Sequence, residues 1–112
     1  MDTTATVVKT SQIVLLEYRG LEVSLFPDDK TPIHFYATSG DDVAMAKIVF
    51  KNGIYDRLEI VNLQGISPLS DKNKERFRLI AEEYLSELVR NWIDHFVYGK
   101  IPQSEKIQRS LE

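Results

Sequence analysis

His34 and Tyr36 stand two residues apart in Ile33-His34-Phe35-Tyr36-Ala37. In an extended strand that spacing puts an imidazole and a phenol on one face, with Thr38 following and with Ile33, Phe35 and Ala37 on the other. Lys47 could join them from the next strand, or Arg57 and Glu59 from the last, depending on register. An imidazole, a phenol and a cation could together support acid–base work on RNA phosphodiesters. The catalytic set of that alternative is His34, Tyr36 and Lys47. The same side chains also read as a polar, half-exposed sheet surface, and the sequence favours that reading, in which no residue is catalytic.

Other chemistry is thinly represented. There are no cysteines, so disulfides, thiolate zinc sites and cysteine nucleophiles are excluded. With two histidines, a transition-metal site would need both His34 and His95 plus carboxylates, and nothing in their spacing brings them together. Asp28-Asp29 and Asp41-Asp42 are explained by turns, and the alternating ligands of a calcium loop are missing. No G-x-G-x-x-G, P-loop, H-E-x-x-H or G-x-S-x-G motif occurs. The expectation is therefore no metal and no cofactor. The net charge is −3, carried by the first half of the chain while the second half balances at zero. That leaves no basic face for a nucleic acid. No apolar run approaches the ~20 residues of a membrane span, and Met1-Asp2-Thr3-Thr4 does not open a signal peptide. A cytoplasmic protein is expected, with no membrane partner.

The 112 residues, 43% hydrophobic and 28% charged, suffice for one core and no more. Residues 1–10 read as a flexible segment or an edge strand. Strands are expected at about 12–18, 21–26, 33–38, 43–51 and 54–63. They are separated by Arg19-Gly20, by the loop Pro27-Asp28-Asp29-Lys30-Thr31-Pro32, by Ser39-Gly40-Asp41-Asp42 and by Asn52-Gly53. Asn-Gly between apolar runs is a strong hairpin signal, because both residues tolerate positive φ. Short connections imply an antiparallel meander of four or five strands.

The period then changes to that of a helix. Either Ser67 caps it, with Pro68 in the first turn, or Ser70 caps a helix starting at Asp71. No Gly or Pro follows until Gly99, so one helix of about residues 71–98 is expected, roughly 40 Å long at 1.5 Å per residue. The fold class expected is α+β in two layers, that helix covering one face of the sheet. The single domain runs over 11–100, and 101–112 is a polar tail in which Ile107 and Leu111 are spaced for one amphipathic turn.

Around the helix, Phe77, Ala81, Tyr84, Leu88 and Trp92 form the sheet-packing stripe. A second apolar group, Val89, Ile93, Phe96 and Val97, appears only in the later half; earlier, that side carries Arg78, Glu82 and Ser86. The apolar surface thus widens beyond what one sheet face can cover. Either Ile101, Ile107 and Leu111, or the N-terminal segment, fold back over it, or it meets a protein partner or a second copy. Val89, Trp92, Ile93, Phe96 and Val97 are the partner-binding candidates. His95 reads as a helix-end side chain with a local hydrogen-bond partner. Arg78/Glu82 and Arg90/Asp94 read as i,i+4 ion pairs.

Residues 20–101 resemble a family of small bacterial proteins of unknown function, often encoded beside toxin–antitoxin genes. Gly20-Leu21-Glu22-Val23 matches its glycine-led strand, Pro32-Ile33-His34-Phe35 its Pro-Pro-His-Phe-His-type motif, and Trp92 the tryptophan near the end of its helix. Ile33 replaces the motif's second proline and Tyr36 its second histidine, so no paired-histidine role carries over. The resemblance implies a cytoplasmic bacterial α+β domain, part of a toxin–antitoxin or other binary protein pair, with no catalytic residues to transfer. The expected function is a non-enzymatic protein-interaction module, antitoxin-like, whose acidic character suits a basic partner because complementary charge speeds encounter. The alternative is a small RNA-directed toxin or ribonuclease using the His34/Tyr36 strand face.

Overall fold

Asn52 and Gly53 both adopt positive φ, at 56° and 78°, and Arg19 and Gly20 do the same at 49° and 81°. These left-handed pairs match the twist of the strands they join. They close two hairpins in a computed structural model that describes residues 12–25 and 33–112. The strands are β1 (Ile13–Tyr18), β2 (Leu21–Leu25), β3 (His34–Ser39), β4 (Asp42–Lys51) and β5 (Ile54–Asn62), each antiparallel to the next. The expectations for residues 1–10 and for the Pro27–Pro32 loop lie outside the described residues.

Two expectations are corrected. The sheet is neither four- to five-stranded nor purely antiparallel: among the described residues it has six strands in the order β5-β4-β3-β2-β1-β6. β6 (Glu105–Lys106) lies parallel to β1, with Leu16 opposite Glu105 and Glu17 opposite Lys106. The Ile107 amide donates to the Glu17 carbonyl at 2.8 Å, and the Ile107 side chain is buried in the core. The supposed polar tail thus covers a sheet edge that would otherwise present unpaired backbone groups.

Nor is there one long helix. α1 (Asp71–Glu83) and α2 (Leu85–Phe96) are separated at Tyr84, whose backbone leaves the helical region (φ −109°, ψ 23°). The Tyr84 amide still donates to Ile80 and the Leu88 amide to Tyr84, both at 2.9 Å, so the interruption is a local bend. A straight ~40 Å rod would match the longest dimension of a molecule measuring 39 × 32 × 27 Å. Two shorter segments can each follow the twisted sheet. Ser70 is the N-cap: its hydroxyl accepts from the Asn73 amide at 3.2 Å.

The helices cover the sheet face that carries Leu21, Val23, Phe35, Ala37, Ala44, Ala46 and Ile48. Phe77, Ile80, Ala81 and Leu88 pack into that core, with Tyr84 and Trp92 half-buried at its margin. The opposite face is not uniformly open. Ser24, His34, Tyr36 and Thr38 are buried there, and Leu63 and Ile66 pack on Tyr36 and Val43.

Candidate functional site

Val89 and Ile93 succeed one another by one turn on α2, with Leu85 a turn earlier. Together with Ser86, Arg90 and Asp94 they form one wall of a groove of about 590 Å³. Phe50 and Tyr55, from the ends of β4 and β5, form the other wall, and Tyr98 closes one end. A β-bulge decides which side chains face it. Val49 pairs with Arg57 and Phe50 with Tyr55, so Asp56 is the extra residue. Unbulged pairing would set Asp56 opposite Phe50, since a one-residue slip exchanges the faces of a strand. The bulge turns an aromatic ring into the groove and a carboxylate out of it. Partial burial, with Glu82 and Asp56 nearby, raises the Tyr55 pKa above its ordinary value.

Exposed apolar side chains line the groove and follow it along the helix: Ile93 is 36% exposed, Phe50 41%, Val97 63% and Tyr98 67%. Ile54, 71% exposed, pairs with Lys51 and so stands on the opposite sheet face from Phe50 and Tyr55, and Ile101 is 78% exposed. Ile101 does not fold back over the helix, and Ile107 and Leu111 pack with the core instead.

The five residues read from the sequence as partner-binding divide between two sides of α2. Val89 and Ile93 line the groove and Val97 extends it. Trp92 and Phe96 are half-buried against the core, their ring centroids 4.8 Å apart. Phe50, Tyr55, Leu85 and Tyr98 escaped the sequence reading. The aromatic pair Phe50 and Tyr55 flanking the Asn52-Gly53 turn is the signal that could have found the hairpin wall.

Charge in the groove is distinctive. Five of the chain's six arginines are ion-paired: Arg19 and Arg76 with Glu112, Arg57 with Asp56 and Glu59, Arg78 with Glu75 and Glu82, and Arg109 with Glu83. The sixth is Arg90. The Arg78–Glu82 pair expected from the spacing forms at 2.8 Å. The expected Arg90–Asp94 pair does not, and among the described residues neither partner has any ion pair. One positive and one negative side chain, a helical turn apart, thus line an apolar groove unpaired.

The His34 face is built differently from the expectation. The register sets His34 opposite Lys47 and Lys47 opposite Glu59, so the three form one row across the sheet. The His34 and Tyr36 rings meet edge-on, with centroids 5.4 Å apart. Yet both are buried, at 6% and 7% exposure, while Lys47 is exposed. Arg57, on the same face, is held by its two carboxylates at 2.6 and 2.8 Å. His95 has its local partner: its Nδ1 donates to the Lys100 carbonyl at 2.9 Å. Among the described residues no cluster of three or more His, Asp or Glu side chains could hold a metal ion. Among the described residues no helix is long and apolar enough to cross a membrane.

Compared with family models, with curated proteins and with solved structures, the chain matches none.

Proposed function

We propose that the protein is a non-enzymatic interaction module that docks another protein surface in the groove between α2 and the β4–β5 hairpin. The observation that carries this reading is the groove's construction from both elements, with Phe50 and Tyr55 facing Val89 and Ile93 and exposed apolar side chains continuing beyond it. An apolar groove flanked by a helix is the geometry in which an amphipathic helix buries its own apolar stripe. The binary-pair setting, antitoxin-like in a bacterial cytoplasm, rests on the Pro32-Ile33-His34-Phe35 motif and on the acidic charge balance. The RNA-directed alternative is disfavoured. Phosphodiester cleavage needs a reachable acid and base with cations to hold phosphate, whereas His34 and Tyr36 are buried and Arg57 is already paired.

The test is a photo-crosslinking amino acid placed at Val97, with an exposed control at Gln64, in the cell that makes the protein. A discrete protein adduct from position 97 and none from position 64 is the expected outcome. Absence of any adduct at 97 would sink the docking reading. The mass of the adduct tells whether the occupant is another protein or the same one.

A further inference from the structure

Resting on that docking reading, we infer that the occupant of the groove is a second copy of this chain, bound through two antiparallel α2 helices about a twofold axis. The charges on the groove wall argue for it. Arg90 and Asp94 are one turn apart, line the same groove, and are ion-paired neither with each other nor with any described residue. A twofold axis midway between them sets Arg90 of each copy against Asp94 of the other, so one contact is satisfied twice. Self-complementarity of this kind is what an isologous interface requires. A basic partner would meet Arg90 as a like charge, and an acidic one would meet Asp94.

The same axis places the small Ser86 of each helix against the end of the other, where Val97 and Tyr98 need room. The Val89, Ile93 and Val97 row lies alongside, spaced by four residues as helix ridges are.

Sedimentation velocity on the full chain tests this with two charge reversals, Arg90→Asp and Asp94→Arg, in variants that retain the wild-type circular dichroism spectrum. Wild type is expected to sediment as a dimer at micromolar concentration. Each reversal places like charges in contact twice and should weaken the dimer roughly 30- to 100-fold. Mixing the two variants restores both opposite-charge contacts, so the mixture should dimerise to within about threefold of wild type. If either reversal fails to fold, Arg90→Ala and Asp94→Ala replace the pair, each expected to weaken the dimer roughly threefold to tenfold. The inference falls if wild type is monomeric, if the reversals leave the dimer unchanged, or if the mixture stays monomeric. It also falls if the crosslink from Val97 goes to residues 1–11 of its own chain. A monomeric wild type whose Val97 adduct has the mass of a different protein overturns the second copy but leaves the docking groove standing. No adduct at all overturns both.

Discussion

Trp92 shows how one side chain can carry two opposing terms. Its ring meets Phe96 at a tilt and packs against the core, yet its Nε1 is buried with no hydrogen-bond partner among the described residues. An unsatisfied buried donor costs about 1–3 kcal/mol, and that cost is set against the ring's packing. Trp92→Phe keeps most of the packing and removes the donor, so it should change stability by less than about 1 kcal/mol. Trp92→Ala removes the packing as well and should cost about 3 kcal/mol. Urea unfolding followed by circular dichroism measures both, since Trp92 is the chain's one tryptophan and its fluorescence is lost in each variant. Equal losses in the two variants would mean that the indole N–H contributes favourably and has a partner. The helical period alone places Trp92 with the core stripe; no pattern in the sequence shows that its nitrogen is left over. His34 and Tyr36 illustrate the converse. Their two-residue spacing correctly puts them on one face, but alternation cannot say whether that face is covered, and here it is.

The hairpins and the helical region are legible because each has a local cause: Asn52-Gly53 and Arg19-Gly20 take left-handed backbone, and Ser70 supplies the cap. The bend at Tyr84 has no such local signal, since neither Gly nor Pro lies near it. The last strand is hidden for another reason. Only two residues pair in β6, and most of what holds the segment is scattered. Ile107 is buried, the Leu111 amide donates to the Tyr18 hydroxyl at 3.1 Å, and that hydroxyl donates to the Glu112 carboxylate at 2.9 Å. Arg76 and Arg19 complete the Glu112 site. The Tyr18 hydrogen bond first, and then Arg76, hold the Glu112 carboxyl below the usual glutamate range. A depressed carboxyl contributes stability that is fully present above its unfolded pKa and is lost as pH falls through the folded one. Ile107→Ala should therefore cost about 2–3 kcal/mol at every pH, where an exposed tail residue would cost within about 0.5 kcal/mol. Glu112→Gln should be destabilising at neutral pH and indistinguishable from wild type once acid has protonated the carboxylate. Urea midpoints of the two variants from neutral pH downward check both. A Glu112→Gln penalty that persists in acid would show that the ionised form is not what anchors the segment.

At the scale of the molecule, apolar surface is divided between a core and a patch of a different kind. The main core takes one sheet face with the inner sides of α1 and α2, and much of the remaining apolar surface lines the groove where the outer side of α2 meets the hairpin. The widening apolar surface of the late helix is visible in the residue order, so half of the groove is legible from sequence. The other half depends on the bulge that turns Tyr55 inward, a register shift that the residue order does not announce. If two copies bury this patch in each other, folding and association are linked, and mass action makes stability depend on concentration. The thermal midpoint of wild type should then rise by a few degrees for each tenfold increase in protein concentration. Ile93→Asp combined with Val97→Asp introduces four carboxylates into the interface of a dimer while altering only exposed positions of the monomer. That variant should keep its fold and show a midpoint that does not move with concentration. Scanning calorimetry on both proteins over the same range decides the matter. A wild-type midpoint independent of concentration, with unfolding reversible, would mean that the fold stands without the second copy and that the apolar patch is solvated in the free protein.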